Sequence, residues 1–170
     1  MDLRAAAALL GLAAVAAGFG DQLDLLGQLG IGPQPAPDTA RVERVVDGDT
    51  IKVQLAGRTE TVRYIGVDTP ETKKPGTPVQ CFGKAASHEN ERLVEGERVR
   101  LITGAEPRDR YGRLLAYVRR ERDDLFVNER LLQGGFARTL TIAPNDRYAV
   151  RFRAVEARAR VARSGLWGQC

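Results

Sequence analysis

The strongest constraint on the fold of this 170-residue sequence is a series of short segments separated by tight turns. Residues 50–55 alternate apolar and polar side chains, which is typical of a strand with one buried face. Segments of similar length flank it at 41–46 and 59–67, and turns at 47–49 and 56–58 join the three. The pattern predicts an antiparallel meander.

Two more strands and three helices are predicted downstream. Apolar spacing indicates helices over 82–95 and 127–133, and strands over 99–102 and 114–118. A last helix is expected to begin with Asn145 or Asp146 as its cap and to bury Tyr148, Phe152, Val155, Ala159 and Ala162. This count predicts an α+β fold with a five-stranded Greek-key barrel of the oligonucleotide/oligosaccharide-binding (OB) type and three helices.

The amino-acid composition is that of an ordinary globular protein, with 43% hydrophobic and 28% charged residues. It excludes wholesale disorder, a collagen-like or coiled-coil rod and a multi-spanning membrane protein. The chain is long enough for one domain.

The N-terminal region differs from the rest of the chain. Residues 5–20 are sixteen uncharged and mostly apolar positions, longer than the usual core of a signal peptide and shorter than a typical membrane span. Residues 1–20 are therefore expected to form a cleaved export signal or an uncleaved membrane anchor, with a helix of the fold as the third alternative. Residues 21–40, with three prolines, are expected to form a linker, and 41–170 the folded domain. Either leader predicts a secreted or cell-envelope protein.

Charge is unevenly distributed along the chain. Residues 1–40 hold one basic and four acidic side chains, so the net charge of +4 for the chain becomes +7 for residues 41–170. Such a domain attracts polyanions, of which nucleic acid is the commonest, although a basic balance can also serve solubility alone.

The two cysteines, Cys81 and Cys170, are consistent with export. A disulfide between them would fasten the C-terminal end of the chain and would need an oxidising compartment. Two free thiols are the alternative.

Three carboxylates follow strand ends, namely Asp49, Asp68 and Glu71. If the strands pair as a meander, the turn that holds Asp49 can face the end of the strand that runs into Asp68. Carboxylate and carbonyl oxygens are ligands that Ca²⁺ prefers, whereas Zn²⁺ favours His or Cys. His88 is the one histidine of the chain, and we expect it on a helix surface.

Six motifs carry a resemblance to a known family. They are VVDGDTIKV (45–53), VRYIGVDTPETK (62–73), CFGKAA (81–86), DRYGRLLAYV (109–118), VNERLLQGG (127–135) and GLW (165–167). With these motifs the sequence resembles the staphylococcal nuclease (thermonuclease) family over nearly all of residues 41–168. That family has a five-stranded barrel with three helices, in agreement with the elements predicted above.

The resemblance implies a role for each matching residue. Asp49, Asp68 and the backbone carbonyl of Thr69 would bind Ca²⁺, and Glu71 would hold or deprotonate the attacking water. Two arginines, Arg63 and Arg113, would bind the scissile phosphate. Neighbouring phosphates would contact Tyr111, Lys73, Lys74 and Arg110.

The implied activity is Ca²⁺-dependent hydrolysis of DNA and RNA with low sequence specificity, leaving 3′-phosphates. The resemblance implies a monomer without an obligate protein partner. Two alternatives stay open, which are a catalytically inactive nucleic-acid-binding module and a secreted scaffold or adhesion domain. One departure from the family concerns residues 139–144, where tyrosines that pack on base and sugar are replaced by Thr-Leu-Thr-Ile-Ala-Pro, which predicts weaker base stacking.

Overall fold

A computed structural model of the chain describes residues 38–72, 76 and 78–170. The expected leader (1–20) and residues 21–37 of the expected linker lie outside the described residues. The first strand begins at Thr39, two residues before the expected start of the folded domain. Within the described ranges, no helix has the length and apolar character needed to cross a membrane.

Eight strands are present in the described part of the chain. They are β1 (Thr39–Asp47), β2 (Thr50–Leu55), β3 (Arg58–Tyr64), β4 (Gly66–Asp68), β5 (Arg98–Arg108), β6 (Leu114–Arg120), β7 (Leu125–Phe126) and β8 (Arg138–Leu140). Consecutive antiparallel pairing joins β1, β2 and β3, and β5 pairs with both β1 and β6. A parallel pairing of β6 with β3 closes the ring, so these five strands form the predicted OB-type barrel.

The hairpin between β2 and β3 illustrates how turn chemistry sets the register. Ala56 and Gly57 both have positive φ values, 49° and 76°, as the two central residues of a type I′ turn require. Leu55 therefore pairs with Arg58, and Ile51 pairs with Val62 inside the barrel, where both are fully buried.

Residues 59–67 form two strands rather than the one predicted. β3 ends at Tyr64, and β4 leaves the barrel to pair with β8. The side chain of Asn128 fixes this bend, because its amide nitrogen donates to the carbonyl of Ile65 at 2.8 Å and its oxygen accepts the backbone N–H of Val118 at 2.9 Å.

Four helices complete the described part of the fold. They are α1 (Gly83–Val94), α2 (Val127–Gln133), α3 (Ala149–Val161) and the single turn α4 (Leu166–Gln169). The three longer helices confirm the predicted ones, and His88 is exposed on α1 as expected.

The start of α3 differs from the prediction. No side chain caps this helix, because the amide of Asn145 instead bonds the backbone N–H and carbonyl of Glu106 at 3.0 and 2.9 Å. Phe152 is buried as predicted, whereas Ala162 follows the helix and is exposed.

Cys81 and Cys170 form the expected disulfide, across 89 positions of sequence. It fastens the end of α4 to the segment that enters α1. The C-terminal end of the chain is thereby held beside the start of α1.

We expect the double variant Cys81→Ser/Cys170→Ser to have a free energy of unfolding about 4 kcal/mol lower, because the disulfide restricts the unfolded chain over a long loop. Urea denaturation with and without dithiothreitol measures the effect. The double variant is also the control for other effects of dithiothreitol, because it has no disulfide to reduce and its urea midpoint should not change. A wild-type midpoint that does not move on reduction would contradict this expectation.

Candidate active site

Asp49 lies in the tight turn between β1 and β2 and is 5% exposed. Its Oδ2 accepts the backbone N–H of Thr69 at 2.8 Å and the hydroxyl of Thr69 at 3.0 Å, and its Oδ1 accepts the hydroxyl of Thr50 at 3.1 Å. Two of the predicted metal-binding residues are therefore in direct contact.

The close approach of these segments requires a small residue at position 48. A Cβ on Gly48 would lie 2.6 Å from Oγ1 of Thr69, so any side chain there would push the segments apart. From α1, Asn90 supports the same turn by donating to the carbonyl of Asp47 at 3.0 Å. The side-chain oxygen of Asn90 accepts the hydroxyl of Tyr64 on β3, also at 3.0 Å.

The guanidinium of Arg63 ties three parts of the site together. Its Nε lies 3.2 Å from Oδ1 of Asp49, and its Nη2 donates to Oδ1 of Asp68 at 2.9 Å. Its Nη1 donates to the carbonyls of Tyr64 and Val67, at 2.9 and 2.8 Å, across the bend between β3 and β4. The side chain is 13% exposed, so it holds these groups from inside the protein.

Two carboxyl groups of this region have a raised pKa, mainly because they are buried. Burial, together with the nearby charge of Asp49, raises the pKa of Asp47 to about 6. Burial also raises the pKa of Asp68. The positive charge of Arg63 opposes this rise, and the negative charges of Asp49 and Glu71 add to it. Burial and the neighbouring negative charges thus both disfavour the ionised form of these two carboxyl groups.

Glu71 lies at the same cavity, three residues beyond β4. Its backbone N–H donates to the side-chain oxygen of Gln80 at 2.9 Å, and its carbonyl accepts the N–H of Gln80 at 2.9 Å. These two bonds join Glu71 to Gln80, which precedes the disulfide-bonded Cys81. Lys73 and Lys74 themselves lie outside the described residues.

Arg113 reaches the cavity from the turn between β5 and β6. Its Nε donates to Oδ2 of Asp109 at 2.7 Å, and Oδ1 of Asp109 accepts the backbone N–H groups of Tyr111 and Arg113. Burial raises the pKa of Asp109, but these hydrogen bonds outweigh burial and lower it overall. Asp109 thus stays ionised and orients Arg113.

One cavity of about 200 Å³ brings together the six residues predicted to bind the metal or carry the chemistry. They are Asp49, Arg63, Asp68, Thr69, Glu71 and Arg113. The predicted meander is the reason, because it carries the turn after β1 to the end of β4.

Tyr111 and Arg110 lie beside this cavity rather than in it. Tyr111 is 68% exposed, and the guanidinium of Arg110 lies 4.8 Å from its ring centroid. Tyr111 lines a neighbouring cleft of about 490 Å³, together with Leu115, Leu140 and Ile142. Leu140 and Ile142 belong to residues 139–144, the segment expected to stack bases weakly, and here they form an apolar wall.

Sequence analysis missed three residues that support the site. Asp47 lines the cavity, Asp109 orients Arg113, and Gln80 holds the backbone of Glu71. Asp47 and Asp109 belong to the quoted motifs, so their position in DGDT and DRYGR is the available signal. Gln80 lies in a loop without any pattern that could have identified it.

The donor atoms at the cavity fit a hard cation. Carboxylates and a backbone carbonyl are available, and none of the described residues that line the cavity is His or Cys. No three side chains of Asp, Glu, His or Cys form a ready-made metal-binding group anywhere in residues 38–72, 76 and 78–170. Asp49 and Asp68 are bonded to Arg63 instead, so a metal ion would have to compete with that guanidinium for their oxygens.

Comparison with known proteins confirms the resemblance. A family model described as staphylococcal nuclease homologue matches residues 61–169. The chain is 46% identical over 126 residues to Thermonuclease of Staphylococcus intermedius, covering 74% of each chain. It is 43% identical over 129 residues to Thermonuclease of Staphylococcus hyicus, covering 76% of this chain and 75% of the relative. It is 44% identical over 130 residues to Endonuclease YncB of Bacillus subtilis (strain 168), covering 75% of this chain and 61% of the relative. The chain belongs to the staphylococcal nuclease family.

Proposed function

We propose that this protein is a Ca²⁺-dependent nuclease that hydrolyses phosphodiester bonds of DNA and RNA with low sequence specificity, leaving 3′-phosphates. The printed names of its relatives, Thermonuclease and Endonuclease, support the reaction class. The net charge of +7 on residues 41–170 supports a polyanionic substrate.

The observation that carries the proposal is the shared cavity. Cleavage of a phosphodiester needs a positioned water and stabilisation of the negative charge that develops at phosphorus. Arg63 reaches this cavity from β3 and Arg113 from the turn between β5 and β6, and Glu71 lines it beside Asp49 and Asp68. A binding module would have no need for this combination.

Arg63 has a defined set of donors for the substrate. Nη1 is occupied by two backbone carbonyls, whereas Nε and Nη2 face the carboxylates of Asp49 and Asp68. A phosphate would therefore take the Nε and Nη2 edge of the guanidinium, where its two oxygens replace carboxylate oxygens. The carboxylates released in this way are the oxygens that a cation would need.

Asp49, Asp68 and the carbonyl of Thr69 would hold the metal. When bound, Ca²⁺ would supply positive charge to offset the charge added to the phosphate in the transition state. Arg113, held by Asp109, would approach the same phosphate from the other wall of the cavity.

Glu71 would orient the attacking water and accept its proton. The water oxygen bonds to phosphorus and the bond from phosphorus to the 5′-oxygen breaks. The 5′-oxygen takes a proton from solvent and leaves as a hydroxyl group, and Glu71 returns the proton of the attacking water to solvent. A carboxylate is only a weak base, so most of the acceleration would come from positioning and from the positive charges.

The disulfide supports action in an oxidising compartment, outside the cytosol. The expected leader at residues 1–20 agrees with this location, and we propose secretion or attachment to the cell envelope.

The proposal is tested by digestion of plasmid DNA and of RNA while Ca²⁺ is titrated. We expect cleavage that requires Ca²⁺, stops with EDTA and returns when Ca²⁺ is restored. The variant Glu71→Gln is the matched control, because it should bind nucleic acid and cut at least 100-fold more slowly. Binding without cleavage by the wild type at every Ca²⁺ concentration would instead identify a nucleic-acid-binding module.

We expect Arg63→Lys to lower kcat/KM for DNA at least 100-fold although the charge is kept. An ammonium group cannot bond two carbonyls and also present two parallel N–H groups to a phosphate. Initial rates on a single-stranded oligonucleotide measure the loss.

Two controls separate this effect from misfolding. Thermal unfolding followed by circular dichroism shows whether Arg63→Lys is folded at the assay temperature. Arg98→Lys changes an exposed arginine that pairs with Glu121 on the barrel surface, and it should keep full activity. Activity of Arg63→Lys within tenfold of the wild type would be evidence against a contact of two Arg63 N–H groups with two phosphate oxygens.

A further inference from the structure

A second cleft, of about 410 Å³, adjoins the active-site cavity and has no part in the reaction described above. Arg138 lines it, together with Gln80, Leu166 and the disulfide, and we refer to it as the Arg138 cleft. It shares Asp68, Thr69 and Pro70 with the active-site cavity.

The three depressions follow one another along the surface. The active-site cavity shares Arg63 and Arg113 with the cleft of Tyr111, and it shares Asp68 and Thr69 with the Arg138 cleft. A nucleic-acid strand whose scissile phosphate lies in the cavity therefore has one cleft on each side of that phosphate. The Tyr111 cleft has an apolar wall that suits a base, whereas the Arg138 cleft presents a cation that suits the backbone.

Arg138 is the cation of the second cleft. It lies on β8, directly opposite Asp68 of β4 in the strand register, which fixes its backbone next to the site. Its side chain makes no hydrogen bond or ion pair with any other residue in the described ranges, and it is exposed. Most other arginines close to the site are already bonded to a carboxylate, as Arg63 and Arg113 are.

Trp167 holds this guanidinium without using its hydrogen-bond donors. The guanidinium carbon of Arg138 lies 5.0 Å from the centroid of the Trp167 ring, a cation–π distance. Stacking of this kind leaves the N–H groups at the edge of the guanidinium available for oxygen acceptors. Burial raises the pKa of the nearby carboxyl group of Asp68, and the charge of Arg138 opposes this rise, but no hydrogen bond joins the two side chains, so the N–H groups of Arg138 can bind a phosphate.

We propose that Arg138 binds a backbone phosphate that flanks the scissile phosphate, so that the enzyme favours strands that extend into the Arg138 cleft. This inference rests on the nuclease function proposed above. It assigns the cleft to the sugar–phosphate backbone of a single strand, through a charge-assisted contact without base specificity.

The test uses short single-stranded DNA oligonucleotides with one cleavable linkage. The reference substrate has ordinary charged phosphodiesters on both sides of the cleavable linkage. Two further substrates carry neutral methylphosphonates, one on the 5′ side of that linkage and one on the 3′ side. The wild type should bind and cut the charged substrate better than the substrate that is neutral on the side of the Arg138 cleft.

Arg138→Gln should raise KM for the charged substrate about fivefold and leave kcat unchanged. It should leave KM unchanged for the substrate that is neutral on that side. The slope of log affinity against log salt should fall in magnitude by about 0.7 with the charged oligonucleotide, as expected for one lost contact with single-stranded DNA. Arg153→Gln is the matched control, because it removes an equally charged and exposed arginine of α3 that has no ion pair in the described residues.

Three results would overturn the inference. The first is an equal rise in KM on charged and neutral substrates when Arg138 is replaced. The second is a rise no larger than that caused by Arg153→Gln. The third is a wild-type KM that does not depend on the flanking charge. Fluorescence anisotropy with the same oligonucleotides measures binding independently of cleavage. If the wild type cuts none of them, the proposed nuclease activity is wrong, and the ratio of affinities for charged and neutral oligonucleotides still decides the role of Arg138.

Discussion

The candidate site depends on one guanidinium that bonds groups from three chain segments. Arg63 reaches Asp49 after β1, Asp68 at the end of β4, and the carbonyls of Tyr64 and Val67 on either side of the bend between β3 and β4. Tyr64 and Val67 are buried, and a buried carbonyl needs a hydrogen-bond donor, which Arg63 supplies to both. The same residue therefore stabilises the bend and carries positive charge into the cavity.

This arrangement links the proposed metal to the proposed substrate. The oxygens of Asp49 and Asp68 that would bind a cation are bonded to Arg63, and the edge of Arg63 that would bind a phosphate is bonded to those oxygens. A cation that takes the carboxylates leaves the guanidinium free, and a phosphate that takes the guanidinium leaves the carboxylates free. Each ligand should thus make the binding of the other more favourable.

Local sequence patterns predicted the barrel and the approach of the strand-end carboxylates, whereas the family resemblance predicted the remaining residues of the cavity. Alternation in residues 50–55 predicted β2, and the meander predicted that the turn of Asp49 faces the strand end at Asp68; both residues line one cavity. The bend at Ile65 depends on Asn128, 63 positions later, and the missing cap of α3 depends on Asn145 bonding to Glu106. No periodicity in a single segment records such partners, and the same applies to Gln80 beside Glu71.

Coupling between the cation and the nucleic acid can be measured by calorimetric titration of the slow-cutting variant Glu71→Gln with Ca²⁺, in the presence and absence of a saturating dinucleotide. We expect the dinucleotide to raise Ca²⁺ affinity at least tenfold and Ca²⁺ to raise dinucleotide affinity by the same factor. Most of this coupling should disappear when Arg63→Lys is added. Independent binding of the two ligands, or equal coupling without the guanidinium, would show that Arg63 does not link the two sites.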